Sequence, residues 1–184
     1  NYSCVCYLDA NVPKLGDIVG WAESSAVIYG NSVLGARTNR NSIMMDLCMA
    51  VTGWTPDFGL TKDEHRKGDV LVKLDVEDMD APAVGYLVGQ RVVNKVPVLT
   101  HYPFSTAELK NMGGAMAAAG AIGLFHVVGV TPEAPTLEAV FDDEPKQTIV
   151  ITQKDVDALR LERAQQDTAE MVVFGCPQMA LDEI

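Results

Sequence analysis

The sequence predicts an α/β fold in which helices cover both faces of a mostly parallel sheet. Short continuous aliphatic runs recur along the chain, and such runs are typical of strands that are buried on both faces. Segments with helical apolar spacing separate these runs, as expected when crossover helices join parallel strands. At 184 residues the chain is long enough for one well-packed core, so we expect residues 1–184 to form a single α/β domain.

The first part of the chain is predicted to be helical. Residues 17–35 are rich in small and aliphatic side chains and predict a helix that is broken at the pair Gly30 and Asn31. Residues 43–51 predict a second, short helix that ends at Gly53. Residues 1–7 have the pattern of a strand or of a loop next to the site, and the first clear strand is expected after the second helix.

The rest of the chain alternates between strands and helices. Ser105 and Glu108, three residues apart, form a capping box at the start of one of these helices. The predicted strands are residues 69–74, 96–100, 123–128, 148–151 and 171–174, and the predicted helices are residues 81–93, 105–120, 136–140 and 154–165. In such sheets ligands bind beyond the carboxyl ends of the strands, and Cys176 closely follows the last predicted strand.

Composition and charge argue against several functional classes. The formal net charge is −11, whereas nucleic acids and anionic membranes are bound mainly by basic patches. No apolar run approaches the roughly 20 residues of a membrane span, and no signal-peptide pattern is present. We therefore expect a cytoplasmic protein with no nucleic-acid partner and no membrane partner.

A polar run near the N-terminus predicts a binding pocket. WAESSA at residues 21–26 and NSVLGARTNR at residues 31–40 place a carboxylate, two guanidiniums, amides and hydroxyls among small apolar residues. Because an unpaired buried charge is strongly destabilising, these groups are expected to satisfy one another together with a ligand. Arg37 and Arg40 have the fork-shaped guanidiniums that bind a carboxylate well. The structural alternative is an ion pair between Glu23 and Arg37.

Isolated cysteines and histidines are less specific signals. Cys48 lies in a short apolar helix and is expected to be a buried small side chain. His126 lies within an apolar strand and is expected to be buried, neutral and hydrogen-bonded. The charged run at residues 62–66, which contains His65, is typical of a solvated turn. His101 directly follows a predicted strand and is a candidate for lining the site.

The WAESSAV and NSVLGARTNR stretches together resemble the signature of the aconitase X family, whose members are iron-dependent hydro-lyases. GCP at residues 175–177 resembles the GCPH element of that family, and SCVCY at residues 3–7 resembles its TCxPY element. Both elements supply iron ligands in the family. The resemblance therefore implies that Cys4 and Cys176 are metal ligands for iron or an iron–sulfur cluster.

The chain departs from the family pattern at two positions, Gln178 where the family has His and Cys6 where it has Pro, which puts substrate contacts near both in doubt. Catalytic subunits of the family are about twice as long, so we expect an excised domain whose third metal ligand lies beyond Ile184. Such a fragment is expected to fold without being active.

The resemblance implies a dehydration reaction on a small hydroxy acid. The expected catalytic residues are Glu23, Ser32, Arg37 and Arg40, and the expected substrate-binding residues are Asn31, Thr38, Asn39 and His101. Iron would act as a Lewis acid on the departing hydroxyl, and the base would come from the expected partner, a swivelling small subunit or domain.

The favoured substrate is cis-3-hydroxy-L-proline, because residues 46–50 look closer to the bacterial members that the resemblance links to this substrate. The alternatives are a mevalonate 5-phosphate dehydratase domain, as in archaeal members, and a non-catalytic ligand-binding or subunit-interface domain. On the catalytic interpretation, Cys4 and Cys176 converge without Cys48. Arg37, Asn39 and Arg40 then line the same pocket as Cys176.

Overall fold

The computed structural model describes residues 5–8, 11–163, 168, 170–173 and 175–179. Four strands form a sheet in the order β3–β2–β1–β4, and every neighbouring pair is parallel. The strands are β1 (Val70–Asp75), β2 (Pro97–Leu99), β3 (His126–Val127) and β4 (Thr148–Thr152). The predicted α/β class with a mostly parallel sheet is confirmed.

Six α-helices surround or flank the sheet in the described part of the chain. They are α1 (Ser24–Ser32), α2 (Ile43–Thr52), α3 (Ala81–Val92), α4 (Thr106–Gly120), α5 (Leu137–Val140) and α6 (Gln153–Arg163). Local sequence sets their ends: Gly53 adopts a left-handed conformation after α2, and the predicted capping box of Ser105 and Glu108 begins α4. No helix among these residues is long and apolar enough to cross a membrane.

The main core lies between one face of the sheet and helices α3 and α4. Val70 and Val72 of β1 and Leu99 of β2 point into this core, where Val84 of α3 and Met112 of α4 meet them. Helix α6 packs against α3, and α1 packs against α4. Helix α1 thus belongs to the core through α4, and all of its residues except Ser24 are buried.

The opposite face of the sheet is covered less completely. Val98 of β2 packs there against Val140 of the one-turn helix α5 and against Phe141. Val150 of β4 remains 44% exposed. Helices therefore lie on both faces, but the face that carries α3 and α4 holds most of the buried apolar side chains.

The first predicted helix is shorter than expected and is not broken. Residues 17–23 run extended beside Arg37, whose backbone exchanges hydrogen bonds with Asp17 and Val19. Gly30 lies inside α1, where an added Cβ would come within 2.6 Å of the Trp21 ring. The glycine therefore serves close packing of the indole and does not end the helix.

The predicted fifth strand is wrong for the residues that the structure describes. Residues 171–173 have no regular structure and are exposed, and residue 174 lies outside the described part of the chain. The aliphatic composition predicts a strand, but strand formation needs a neighbouring edge with which to pair. Cys176 therefore does not follow a strand of this sheet.

The usual ligand crevice of the sheet is filled by the protein itself. The strand order reverses between β1 and β4, and open α/β sheets commonly bind ligands at such a point. Here the side-chain oxygen of Gln153 accepts hydrogen bonds from the backbone N–H groups of Glu77 and Asp78, at 3.1 and 3.0 Å. Arg160 also pairs with Asp78 and Asp80 at 2.9 Å. A functional site is therefore expected elsewhere.

Close packing of α3 on α4 predicts the effect of one small substitution. A Cβ at Gly85 would lie 2.3 Å from the Met112 carbonyl oxygen, so Gly85→Ala should lower the free energy of unfolding by about 1–3 kcal/mol. Gly175→Ala is the matched control, because its added Cβ would meet no atom within 4 Å. Urea unfolding measures both variants, and equal stabilities would contradict the packing role of Gly85.

Candidate active site

Glu23 begins α1 and binds the free N–H groups of its first turn. Its carboxylate accepts hydrogen bonds from the backbone N–H groups of Ser25 and Ala26, at 3.0 and 2.7 Å, and from the Ser25 hydroxyl at 2.6 Å. A carboxylate is favoured at this position because the N-terminus of a helix carries unsatisfied donors and a partial positive charge. The cap fixes the Glu23 side chain in place.

Cys176 meets Glu23 although the two residues are far apart in the sequence. Its Sγ donates to Oε1 of Glu23 at 3.2 Å and lies 3.6 Å from the Ser25 hydroxyl. Helix α4 positions this segment: Pro177 packs against Gly114, and the buried Lys110 ammonium donates to the Gln178 carbonyl at 3.1 Å. The structure thus brings together two predicted site residues.

The electrostatics of Glu23 limit what it can do chemically. Partial burial alone raises its pKa, but hydrogen bonds from the Ser25 side chain, the Ser25 and Ala26 backbone and Cys176 outweigh burial and lower the pKa below its ordinary value. The carboxylate is therefore ionised at neutral pH, and both of its oxygens already accept hydrogen bonds. It is suited to hold a fixed negative charge and poorly suited to accept a proton.

Three predicted site residues are buried and use their polar groups within the protein. The Asn31 amide donates to the carbonyls of Thr38 and Gly123, and its oxygen accepts from the Thr38 backbone at 3.0 Å. The Thr38 hydroxyl accepts from the Trp21 backbone, and the Ser32 hydroxyl accepts from the Phe125 backbone. These contacts give Asn31, Ser32 and Thr38 a structural role in the described part of the chain.

The Arg37 guanidinium contacts Thr61 and Asp63 and not Glu23. It pairs with Asp63 and donates to the Thr61 carbonyl at 3.0 Å. The alternative of an ion pair with Glu23 is therefore wrong. Asn39 is also bonded locally, since its amide donates to the Phe58 carbonyl.

Arg40 and His101 lie at opposite ends of the sheet. Arg40 donates to the Ala121 carbonyl at 2.7 Å and lines a cavity of about 380 Å³ with residues 94–96, before β2 begins. His101 follows β2, where its Nδ1 contacts the Val128 carbonyl at 2.9 Å. The cavity that Arg40 lines includes neither Cys176 nor His101. A pocket that Arg37, Asn39 and Arg40 share with Cys176 stays a prediction.

Sequence reasoning missed the most connected polar residue of this region. Arg66 is buried and donates to both carboxylate oxygens of Glu133, to Asn31, and to the carbonyls of Ala36 and Leu60. Its charged neighbours made the run look like a solvated turn, which is wrong for Arg66. The available signal was the short apolar strand predicted at residues 69–74, which follows the run closely and places its last residues near the core.

The burial predicted for His126 is confirmed, and the burial predicted for Cys48 is wrong. His126 is buried, its Nε2 contacts the Arg66 carbonyl at 2.7 Å, and burial lowers its pKa, so the predicted buried and neutral histidine is confirmed. Cys48 was expected to be buried but is exposed on α2. The reason is that α2 turns most of its apolar side chains outward.

Two of the described side chains at this position are of types that bind iron. Cys176 and Glu23 bring a sulfur and a carboxylate oxygen to 3.2 Å, and iron accepts both types of ligand. Within the described ranges, no three His, Cys, Asp or Glu side chains are grouped closely enough to hold a metal ion. Cys4 lies outside those ranges, so its predicted convergence with Cys176 stays a prediction.

The fold and this site define an α/β protein whose exposed thiol is fixed by a helix-capping carboxylate. The family model for the aconitase X first domain matches residues 1–64, and the model for the aconitase X second domain matches residues 68–161. The chain therefore belongs to the aconitase X family. The two models describe separate domains of that family, and the expectation of a single domain stays a prediction.

Relatives and a solved structure agree with this assignment. The chain is 43% identical to the phosphomevalonate dehydratase large subunit of Thermococcus kodakarensis over 99% of this chain and 47% of that protein. It is 36% identical to the cis-3-hydroxy-L-proline dehydratase of Pseudomonas aeruginosa over its full length and 33% of that protein. The crystal structure of Thermococcus kodakaraensis aconitase X (holo-form) matches 87% of this chain and 42% of that chain, with a TM-score of 0.81 and 40% identity. The chain thus spans less than half the length of these relatives.

The Glu23 cap makes a pH-dependent contribution to stability. Since folding lowers the pKa of Glu23 from 4.5, the charged cap stabilises fully above pH 4.5, and its contribution is lost as pH falls through the folded pKa. Glu23→Gln should therefore lower the free energy of unfolding by about 1 kcal/mol at pH 7 and by less near pH 3. Urea unfolding at both pH values measures this, with the exposed Glu64→Gln as the control. A difference that does not depend on pH would contradict the charged cap.

The buried Arg66 should be essential for folding stability. Arg66→Leu leaves Glu133 without its ion-pair partner, so we expect a loss of about 3–5 kcal/mol in the free energy of unfolding. Arg160→Leu breaks pairs of an exposed arginine and should change stability by about 1 kcal/mol or less. Similar losses in the two variants would show that the Arg66 network is unimportant.

Proposed function

We propose that the chain is part of an iron-dependent dehydratase that removes water from a small hydroxy acid. The observation that carries this proposal is the contact between the exposed Cys176 thiol and the ionised Glu23 carboxylate at the start of α1. Membership of the aconitase X family supports the reaction class, since relatives in the family are named as dehydratases. A cytoplasmic location belongs to the proposal on the basis of the sequence.

Cys176, together with Cys4, would hold iron or an iron–sulfur cluster. When bound, this group supplies a Lewis acid for the departing hydroxyl. Before the group binds, Glu23 orients the Cys176 thiol through the S–H···O hydrogen bond, because the carboxylate is itself held by the first turn of α1. The thiol would lose this proton on binding, since the metal ligand is the thiolate. Helix α4 adds a second constraint on the same segment through Lys110 and Gly114.

The charges near the site suit a substrate that carries both an anion and a cation. Ionised Glu23 provides a fixed negative charge for a substrate ammonium group, and the exposed Arg40, which lines a separate cavity in the described residues, would supply the contact to a carboxylate. Arg37 and Asn39 would hold the Arg40 segment in position through Asp63 and Phe58. This division of roles assigns substrate contact to Arg40 and positioning to its two neighbours.

The proton acceptor for dehydration is proposed to come from outside this chain. Glu23 is the carboxylate in contact with Cys176, and hydrogen bonds occupy both of its oxygens. A base must be free to accept a proton in the transition state. We therefore propose a small subunit or a further domain as the partner that supplies the base, in keeping with the large-subunit names of several relatives.

Two substrates are considered for this dehydratase. The ionised Glu23 favours cis-3-hydroxy-L-proline, which carries an ammonium group, and two relatives are named for that substrate. The relative with 43% identity is named as a phosphomevalonate dehydratase large subunit, which favours mevalonate 5-phosphate as the second candidate. Assays of the complete enzyme with both compounds, after anaerobic iron–sulfur reconstitution, distinguish the two.

Arg40 tests the proposed substrate contact in the complete enzyme. Arg40→Ala should lower kcat/KM by about 100-fold or more with folding intact, because a bidentate contact to a carboxylate orients the substrate. Arg160→Ala is the matched control, since this arginine is also exposed but pairs with Asp78 and Asp80. Unchanged turnover of Arg40→Ala at equal iron content would remove Arg40 from the site.

Cys176 tests the proposed metal contact. Cys176→Ala in the complete enzyme should lower the bound iron per subunit and abolish turnover of both compounds, whereas Cys48→Ala should change neither. If Cys176→Ala retained its iron and its turnover, the chain would be better described as a non-catalytic interface domain.

A further inference from the structure

Helix α2 turns its apolar side chains outward and its charged residue inward, which is the reverse of an ordinary surface helix. Its only charged residue, Asp46, and its only buried residue, Met49, both face Gly20, where an added Cβ would lie 3.4 Å from Asp46 Oδ1 and 2.9 Å from Met49 Cε. A surface helix normally turns its charged residues toward water and its apolar residues inward. In α2 the outward side carries no charge.

The outward side of α2 and the turn after it form one apolar surface, which we call the α2 face. It consists of side chains that are more than half exposed: Ile43 (79%), Met44 (67%), Leu47 (57%), Val51 (79%) and Trp54 (82%). Beside it lies a cavity of about 290 Å³ lined by Ile18, Met49 and Trp54, among others. Contiguous apolar surfaces of this kind mark interaction sites on proteins.

We propose that the α2 face is a permanent interface, covered by the part of the aconitase X large subunit that lies outside these 184 residues. The relative named as a large subunit with 43% identity extends well beyond the match, since the chain covers 47% of it. More than half of such a subunit is thus available to cover the helix. The proposal rests on family membership and not on the proposed reaction.

The chemistry of the α2 face favours this occupant over a separable one. Permanent interfaces resemble a protein core, whereas interfaces between separable partners carry more polar and charged groups. The outward side of α2 carries Ile43, Met44, Leu47 and Val51, and the one charged residue of the helix, Asp46, faces inward. A partner that dissociates would leave all of these side chains in water each time, which is unfavourable for each of them. A segment of the same polypeptide stays in place.

Asp46, which is partly buried, adds a second feature to the interface. Its Oδ1 is buried and has no hydrogen-bond partner, and it lies next to the cavity beside the α2 face. Buried carboxylate oxygens are normally hydrogen-bonded. The covering segment is therefore expected to present a donor, such as a backbone N–H or a hydroxyl, among its apolar side chains.

The native thiol of Cys48 reports on the covering of α2. In the large subunit purified without its small subunit, we expect iodoacetamide to modify Cys48 about 100-fold more slowly than a cysteine placed on α6 by Lys154→Cys, since alkylation then requires the interface to open. Peptide mass spectrometry separates Cys48 from the other thiols. The protection should not change with protein concentration or on addition of the small subunit.

Every other result overturns the proposal. Rapid alkylation of Cys48 in all states means that the α2 face is open to water. Protection that appears only with the small subunit assigns the face to that subunit. Protection that increases with protein concentration assigns it to a second copy of the chain.

A pair of leucine variants gives an independent measurement. Leu47→Lys should lower the Tm of the large subunit by about 5 °C or more, because it places a charge in the covered interface. Leu161→Lys is the matched control, since Leu161 is 78% exposed on α6 and lies outside the α2 face. Equal Tm values for the two variants would overturn the proposal. If Leu47→Lys does not fold, the alkylation rate of Cys48 in the unmodified large subunit still tests whether the α2 face is covered.

Discussion

The buried guanidinium of Arg66 is the interaction on which this arrangement most depends. It joins the end of α1 through Asn31, the following segment through the Ala36 carbonyl, and the loop after β3 through Glu133. A buried charge is tolerated only when it is paired and its donors are satisfied, and Arg66 meets both conditions. Because the carbonyls that it binds belong to segments that are distant in sequence, Arg66 also sets where residues 37–40 can lie.

The structure divides the conspicuous polar residues of the sequence into two groups. Glu23 and Cys176 meet at the start of α1, where a charged cap fixes an exposed thiol. Asn31 and Thr38 form hydrogen bonds with each other, and these bonds hold the chain in place. The same short signature therefore builds both the scaffold and part of the candidate site, which explains why its polar residues lie so close together in the sequence.

Two features bear on where this chain can bind other molecules. The ligand crevice at the point where the strand order reverses is filled by Gln153, so the candidate site lies away from the sheet, beside α1. The α2 face exposes apolar side chains that a free surface does not favour. Both observations agree with a chain that spans less than half of the relatives it matches.

The sequence by itself determined the fold class, the ends of several helices and the family. Aliphatic runs, the Ser105 capping box and Gly53 are local signals. Their effect depends on neighbouring residues in the sequence and not on which distant segment packs against them. Tertiary structure alone decided that Arg66 is buried, that residues 171–173 form no strand, and that α2 turns its apolar side outward. It also decided that Cys176 meets Glu23 and that Arg37 pairs with Asp63. These outcomes depend on which distant segments pack together, and the composition of one segment does not contain that information.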